Sequence, residues 1–229
     1  MKLTVLYVLL FLYGGLMAQK QQTWTVKAGE RVQDVIPLSE LFRYDVFQPG
    51  TVYFNDGKLA TARMNVNMML GEVQFMDPKG DTLSLANEKT IRLVVIGTDS
   101  FIVNSGCWRY VKTQSGYGVV EKLTFQEFIQ KGGAYGLASS TSATESLSSL
   151  VDQRAYTLSA QQERVIVKST QYGIVNQGWQ LIYPDRKKIV KILTKHKTPL
   201  NNYFSSNPVT ANKLGDFEKL VDFLSTLSN

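Results

Sequence analysis

The sequence is poor in the residues that build disulfides, metal sites and histidine-dependent active sites. Its 229 residues include one cysteine, Cys107, and one histidine, His196. One cysteine cannot form an internal disulfide, so the fold must be held together by its apolar core. Zinc needs clustered cysteine and histidine, and calcium needs about six to eight oxygen atoms in one place. Because Asp56, Asp77 and Asp81 lack the dense spacing of a calcium loop, the sequence predicts no metal and no cofactor.

Motifs for nucleophilic catalysis are also missing. No G-x-S-x-G segment is present to place a serine nucleophile on a strained turn. His196 lies between two lysines at the predicted end of a helix, where it would face the last carbonyl groups. Cys107 precedes Trp108 and is predicted to be a small buried apolar residue rather than a nucleophile. No catalytic residue is therefore assigned.

Carboxylates keep one enzymatic alternative open. Glu72, Asp81, Glu88 and Asp99 all lie in the hairpin region of the chain. A hydrolase of the glycosidase type needs two such groups facing each other across a cleft, about 5–9 Å apart. The exposed strand faces of any β-protein also carry carboxylates, so the prediction favours a protein without enzymatic activity and retains the carboxylate hydrolase as an alternative.

Residues 1–18 have the three-part layout of a cleavable secretory signal peptide. Lys2 supplies the positive start, residues 3–12 form an almost unbroken apolar run, and the chain turns polar directly after Ala18. This run is shorter than the roughly twenty residues of a membrane-spanning helix, and no second long apolar run follows it. The sequence predicts cleavage after Ala18 and export to the periplasm, the outer membrane or the extracellular space. An uncleaved N-terminal anchor is the alternative.

From residue 51 onward, turn signals alternate with β-prone runs, which predicts a hairpin-rich antiparallel sheet. Asp56-Gly57 separates the first two runs, and Asp77-Pro78-Lys79-Gly80 separates the next two. Glycine supplies the positive φ that such turns require. Within residues 72–76, Val73 and Phe75 are predicted to face the core. Strands are predicted at residues 24–26, 51–55, 58–66, 72–76, 81–85, 92–96, 101–103, 108–111, 154–158, 164–170 and 179–183.

Two segments interrupt this β pattern. Residues 123–131 fit either a short helix or the continuation of a strand. Residues 132–150 are rich in glycine, alanine, serine and threonine, which bury little apolar area. A long loop is therefore predicted at residues 132–150.

After Pro184 the apolar residues recur with a helical period. A first helix is predicted at residues 186–195. Thr198 is predicted to cap a second helix with Pro199 in its first turn, and Asp216 is predicted to cap a third. The third helix is predicted to bury Phe217, Leu220, Val221 and Leu224.

These elements predict an α+β protein. An antiparallel, hairpin-rich β-domain is expected at residues 19–185, with the loop at 132–150 inserted in it. A helical C-terminal segment at residues 186–229 is expected to pack on this domain, because its helices each have one apolar face.

Three segments of the chain resemble a family of uncharacterised secreted proteins from Bacteroidota-type bacteria. Residues 50–87 read GTVYFNDGKLATARMNVNMMLGEVQFMDPKGDTLSLAN, residues 133–144 read GAYGLASSTSAT, and the tail from Arg186 contains RKKIVKIL and LNNYF. The resemblance spans most of the chain after residue 18. It implies an exported protein of the cell envelope, and it implies no activity and no functional residue.

Aromatic residues in the strands have two interpretations. They can line a ligand groove, or they can be core residues and cross-strand pairs, which the sequence favours. The residues concerned are Tyr53, Tyr110, Tyr117, Tyr135, Tyr156, Tyr172, Trp179 and Tyr183.

Positive charge is concentrated in residues 186–197 of a chain whose net charge is +6 at pH 7. An amphipathic basic helix can lie on an anionic membrane surface. The favoured alternative is a helix packed on the β-domain with its basic face in solvent. The candidate contacts with an anionic surface are Arg186, Lys187, Lys188, Lys191 and Lys195.

The sequence therefore predicts a non-enzymatic, exported cell-envelope protein that binds a partner or an apolar or anionic ligand. The alternatives are the carboxylate hydrolase and a purely structural or interaction protein. The expected partners are an envelope protein, a lipid or a polysaccharide. Nucleic acid is not expected, because an exported protein rarely meets it and no basic-aromatic motif is present.

Overall fold

The computed structural model describes residues 22–129, 131–132, 138–139, 145–146, 160, 162–182 and 185–227. The predicted signal peptide at residues 1–18 and the predicted strand at residues 154–158 lie outside these ranges. Of the predicted loop at residues 132–150, the described residues lie in two-residue strands, and the remainder lies outside the described ranges.

Antiparallel strands make up most of the described fold. They are β1 (Thr23–Val26), β2 (Gln48–Phe54), β3 (Leu59–Asn67), β4 (Glu72–Met76), β5 (Thr82–Ser84), β6 (Ile91–Ile96), β7 (Asp99–Val103), β8 (Cys107–Gln114), β9 (Tyr117–Ile129), β10 (Lys131–Gly132), β11 (Ala138–Ser139), β12 (Glu145–Ser146), β13 (Arg164–Val175) and β14 (Leu181–Ile182). The main sheet has the order β1-β13-β9-β8-β7-β6-β2-β3-β4-β5, while β12 pairs with β9, β14 pairs with β13, and β10 pairs with β11 separately. The predicted antiparallel sheet is confirmed, and the sheet dominates the architecture more than an α+β class suggests.

Among the described residues, the α-helices lie between β1 and β2 and after β14. They are α1 (Val32–Val35), α2 (Leu38–Leu41), α3 (Arg186–Ile192), α4 (Lys197–Ser206) and α5 (Leu214–Leu227), with 3-10 turns at Glu88–Thr90 and Thr194–His196. Within the described ranges, no helix has both the length and the apolar character needed to cross a membrane.

The predicted hairpin turns form where the glycines allow them. Gly57 has φ +85° between β2 and β3, and Gly80 has φ +91° between β4 and β5. Side chains reinforce both turns, because the Asp56 carboxylate accepts the Lys58 N–H and the Asp77 carboxylate accepts the Lys79 and Asp81 N–H groups. Local turn chemistry thus pairs β2 with β3 and β4 with β5.

The structure decides one open prediction and corrects another. The ambiguous residues 123–131 lie mainly in β9, which pairs with β13 from Gly118 to Ile129. In β4, Val73 is buried as predicted, but Gln74 is also buried, at 7% exposure. The prediction that β4 buries only the face with Val73 and Phe75 is therefore wrong at Gln74. The Gln74 amide donates to Ser84 Oγ of the neighbouring strand β5 at 3.4 Å.

The helix starts differ from the predicted caps. α3 ends at Ile192 rather than at residue 195, and α4 begins at Lys197 without a side-chain cap, so the cap at Thr198 is wrong. Asp216 lies inside the first turn of α5 and accepts the N–H of Thr210 instead of capping the helix. The predicted apolar face of α5 is confirmed, because its four predicted core residues are fully buried.

Side chains of the sheet alternate between two differently covered faces. On the face covered by helices, Val119 and Ile174 pack in one apolar cluster with α3, α4 and α5. On the same face, nearer β2 and β3, a second cluster contains Phe101 and Phe125. On the opposite face, Trp108 is completely buried in a smaller cluster under β14. The strands and turns around this smaller cluster form the candidate site.

Candidate functional site

A cleft of about 400 Å³ lies on the face of the sheet opposite the C-terminal helices. We call it the aromatic cleft, because the rings of Tyr110 and Trp179 meet in it. Its volume falls in the range of about 300–1,000 Å³ that is typical of small-molecule sites. None of its lining residues carries a charge. They are Leu93, Ser100, Tyr110, Thr113, Gly116, Tyr117, Gly118, Val175, Asn176, Gln177 and Trp179.

A bulge in β8 puts Tyr110 and Thr113 on the same face of the sheet. The register shifts between Tyr110 and Lys112, so Tyr110 pairs with Val120 while Lys112 pairs with Val119. Strict alternation would have sent Thr113 to the face opposite Tyr110. With the bulge, Thr113 faces the cleft and Lys112 reaches Asp222 of α5 at 2.8 Å. Bulges of this kind re-aim side chains next to functional sites.

Trp179 occupies a backbone conformation that tryptophan rarely adopts. Its φ is +60°, and its side chain is 45% exposed. The left-handed conformation costs a non-glycine residue about 1–2 kcal/mol. Such outliers persist only where the surroundings impose them, and they cluster at functional sites.

The turn between β13 and β14 imposes this conformation. Asn176 Oδ1 accepts the N–H groups of Gly178 and Gln180, each at 3.0 Å. The backbone carbonyl of Asn176 accepts the Trp179 N–H, also at 3.0 Å. The indole ring then meets the Tyr110 ring edge-on, with centroids 6.1 Å apart and an interplanar angle of 82°. Trp179 is thus presented as a partly exposed, oriented aromatic surface.

Gly118 forms part of the wall beneath Tyr110. A Cβ at this position would lie 2.9 Å from Val175 Cγ1 and 3.1 Å from the Tyr110 ring, so only glycine lets the ring approach this closely. Burial raises the pKa of Tyr110 to about 12. Tyr110 is therefore a neutral hydrogen-bonding group over the whole physiological range.

A second cleft, of about 570 Å³, adjoins the aromatic cleft and shares Trp179 with it. We call it the polar cleft. Burial and the nearby charge of Glu72 raise the pKa of Glu88, whereas an N–H from Ser105 acts in the opposite direction. The residues lining the polar cleft are Asn55, Glu88, Lys89, Ile91, Arg92, Ile102, Val103, Asn104, Ser105, Gly178 and Trp179.

The opposite face of the sheet carries a network of four charged side chains. Arg109 lies 2.7 Å from Glu121 and 3.2 Å from Asp99, and Arg43 lies 3.0 Å from Glu121. The Tyr44 hydroxyl donates to Asp99 at 2.7 Å. Burial alone would raise the pKa of Asp99, but the Tyr44 hydrogen bond and the charge of Arg109 outweigh it and lower the pKa. Because both carboxylates are paired with arginines and the pKa of Asp99 is lowered, the network is suited to structure rather than proton transfer.

The predicted aromatic residues separate into three groups. Tyr110 and Trp179 come together in the aromatic cleft, whereas Tyr117 borders the cleft but packs its side chain against the helix-side cluster. Tyr172 is buried on the helix side, with its ring 6.1 Å from Phe217, and Tyr53 lies in β2. The remaining three, Tyr135, Tyr156 and Tyr183, lie outside the described residues.

The five predicted basic contacts all lie on the solvent side of the C-terminal segment. Arg186, Lys187, Lys188 and Lys191 are exposed on α3, and Lys195 is exposed in the following 3-10 turn. The apolar face of α3 is already buried against the protein core, with Ile189 at 1% exposure. A membrane surface could therefore meet this segment only through its charges, and the predicted anionic contact stays a prediction.

The single cysteine and the single histidine belong to different elements, β8 and the 3-10 turn before α4. Cys107 is buried, as predicted, and burial raises the pKa of its thiol, which disfavours the nucleophilic thiolate. His196 lies in the 3-10 turn before α4, not at the C-terminus of an α-helix. In the part of the chain that the structure describes, no three histidine, cysteine, aspartate or glutamate residues are grouped to hold a metal ion.

Sequence reasoning missed the polar members of the aromatic cleft. Ser100, Thr113, Asn176 and Gln177 had no pattern that set them apart from ordinary strand and turn residues. The segment Asn176-Gln177-Gly178 is a turn signal, and it was the one available indication that Trp179 follows a tight turn.

Comparisons of the chain with protein-family models, with curated proteins and with solved structures gave no match. The resemblance to secreted proteins of Bacteroidota-type bacteria therefore stays a prediction.

Proposed function

We propose that the protein is an exported, non-enzymatic cell-envelope protein that binds an uncharged ligand in the aromatic cleft. The observation that carries this proposal is Trp179, a partly exposed indole in a left-handed backbone conformation beside Tyr110. Export is supported by the signal-like sequence at residues 1–18. An exported protein that retains a strained, exposed tryptophan in an open cleft has a surface suited to binding.

Uncharged lining residues narrow the chemistry of the ligand. A charged ligand in this cleft would lose water without gaining an ion pair, which is unfavourable. A ligand with one apolar face and a few hydrogen-bonding groups fits the rings of Tyr110 and Trp179 and the hydroxyls of Ser100 and Thr113. Of the ligands predicted from the sequence, the apolar one suits the aromatic cleft, whereas an anionic one would find its basic partners outside this cleft.

Dye binding tests the cleft directly. Nile red is uncharged and planar, and its emission rises in apolar surroundings. We expect Trp179→Ala to weaken Nile red binding about tenfold, corresponding to about 1.4 kcal/mol. The matched control is Leu83→Ala, which removes another exposed apolar side chain, 46% accessible, on β5. Equal binding by the wild type and Trp179→Ala would refute the cleft as the binding site.

N-terminal sequencing of protein taken from the native envelope tests the export step. A mature chain that starts at Gln19, or within a residue or two of it, is expected. Full-length protein held in the cytosol would refute export without affecting the dye experiment.

The carboxylate hydrolase has one specific observation in its favour. Glu88 has a raised pKa and lines the polar cleft beside Trp179. However, it is the one acidic residue among the lining residues of that cleft, and the aromatic cleft has none. A hydrolase would need a second carboxylate facing Glu88 across the cleft. Loss of glycoside hydrolysis in Glu88→Gln, with unchanged ligand binding, would support this alternative.

A further inference from the structure

We infer that the ligand is a neutral, linear oligosaccharide that stacks on Trp179 and extends from the aromatic cleft into the polar cleft. This inference rests on the proposed function, since it assigns the chemical class of the ligand for the same site. It depends on three properties of the two clefts: their continuity, the groups that line them, and the distribution of charge.

Continuity comes from the turn between β13 and β14. Trp179 lines both clefts, and Gly178 beside it lines the polar cleft. The clefts measure about 400 and 570 Å³, so each lies within the usual range for a small-molecule site. A single small molecule would fill one cleft and leave the other empty. A linear chain of repeating units fills both and passes over the indole ring.

The lining groups match the two-sided chemistry of a sugar ring. A pyranose has a face of polarised C–H bonds, which the electron-rich face of an aromatic ring attracts. Its rim carries hydroxyls, which both donate and accept hydrogen bonds. Amide and hydroxyl side chains can satisfy both roles. The aromatic cleft offers Ser100 and Thr113 beside its rings, and the polar cleft offers Asn55 and Asn104.

Charge favours a neutral chain over an anionic one. The aromatic cleft has no charged lining residue, so an anionic polymer would place some of its charges where no cation meets them. In the polar cleft, Lys89 and Arg92 are accompanied by Glu88. The basic segment at residues 186–197 is not part of either lining. Affinity for a neutral chain should therefore be almost independent of salt.

Calorimetric titration with defined sugars tests this inference. The protein to titrate is the full chain as the cell exports it, after the predicted cleavage that removes residues 1–18. The probes are cellohexaose, maltohexaose, laminarihexaose and chitohexaose, together with their disaccharides. At least one hexasaccharide is expected to bind saturably, about tenfold more tightly than its disaccharide, and with the same affinity at low and high salt.

Substitutions in each cleft test where along the two clefts the saccharide binds. Trp179→Ala should weaken binding of both hexasaccharide and disaccharide about tenfold, because the indole serves both clefts. Asn104→Ala in the polar cleft should weaken the hexasaccharide alone, because the disaccharide is expected to stack on Trp179 within the aromatic cleft. The Trp108 indole donates to the backbone carbonyl of Asn104, so this variant keeps that contact. Leu83→Ala should bind like the wild type.

The outcomes separate this inference from the proposed function. If no hexasaccharide binds while Nile red binding still depends on Trp179, the saccharide class is refuted and the cleft remains a binding site. If neither the sugars nor Nile red depend on Trp179, both proposals fail. Trp179-dependent binding of an uncharged extended peptide, with no sugar bound, would also refute the saccharide class. A strong loss of sugar affinity at high salt would refute a neutral ligand.

Discussion

Arg109 and Glu121 face each other across β8 and β9, with Nη2 and Oε1 2.7 Å apart, between the two apolar clusters of the helix-covered face. Arg43 and Asp99 complete a band of alternating charge, and each of these four side chains is at most 26% exposed. Such a band costs desolvation energy, which its mutual ion pairs and hydrogen bonds must offset. The band lies between the two apolar clusters of this face. Loss of one of its four side chains would leave an opposite charge partly buried without its partner, which should destabilise the protein.

Glu121→Ala should destabilise the protein by about 3 kcal/mol, the lower end of the range for breaking a buried pair, because the network is partly exposed. The variant leaves Arg43 and Arg109 side by side without the carboxylate that both contact. Urea unfolding measures the change. The control is Asp34→Ala, which breaks the exposed Arg31–Asp34 pair, with side chains 48% and 50% accessible, and should cost less than about 1 kcal/mol. Equal costs for the two variants would contradict a stabilising role of the band.

Local signals allowed much of the sheet to be predicted. Asp56-Gly57 and the turn ending at Gly80 specify their hairpins within a few residues, because glycine adopts the required positive φ without steric strain. Phe217 and Leu224 show the helical period of α5 for the same local reason. The secondary structure of residues 123–131 was ambiguous from the sequence, because it depends on pairing with β13, which is distant along the chain.

The candidate site depends on events that no local pattern reports. Thr113 faces the cleft because of the bulge in β8, and a bulge reverses the alternation on which sequence interpretation relies. Trp179 looked like the first residue of a strand, whereas the Asn176 side chain holds it in the turn before β14. Arg43 meets Glu121 only after the sheet has folded, so the sequence does not show this ion pair.

Tyr110→Phe should change the alkaline stability of the protein. In the folded state the pKa of Tyr110 is about 12 because of burial, whereas an unfolded tyrosine has a pKa of about 10. The unfolded state therefore loses the proton first, and the contribution of Tyr110 is fully present below about pH 10 and is lost as the pH rises toward 12. Urea unfolding at a series of pH values should show a smaller alkaline loss for Tyr110→Phe than for the wild type. A difference between the two proteins that does not vary with pH would contradict the burial of this hydroxyl.

Gly118→Ala should cost about 1–3 kcal/mol, as overpacking of a filled site does. The new methyl group would meet Val175 and the Tyr110 ring at about 3 Å and push the ring toward the cleft. Nile red affinity should fall with the stability. Gly215→Ala in α5 is the control, since nothing lies within 4 Å of its Cβ position, and it should stabilise the protein by up to about 1 kcal/mol. A Gly118→Ala protein as stable as the wild type would show that the wall under Tyr110 is loosely packed.

The basic segment should bind anionic membranes through charge alone. Each lysine near such a surface contributes about 1 kcal/mol, and Lys187, Lys191 and Lys195 are all exposed. Replacing these three with glutamate should abolish sedimentation with phosphatidylglycerol vesicles at low salt. Replacing Lys27, Lys79 and Lys213, which are also exposed, changes the net charge equally and is the control. If both triple variants lose sedimentation to a similar extent, the binding depends only on net charge, and a specific membrane-binding face is refuted.

Trp179→Gly should be more stable than Trp179→Ala by about 1 kcal/mol. At most positions glycine is the less stable of the two, because it loses more backbone entropy on folding. At φ +60° the order reverses, because alanine retains the left-handed strain that glycine avoids. Leu83 supplies the contrast, since it lies in the extended strand β5, and there the alanine variant should be the more stable. Both Trp179 variants should lose ligand binding equally, so urea unfolding and Nile red titration together separate the backbone strain from the function of the indole. Alanine as the more stable residue at position 179 would mean that the turn does not store strain, and the main physical argument for a binding role of Trp179 would be lost.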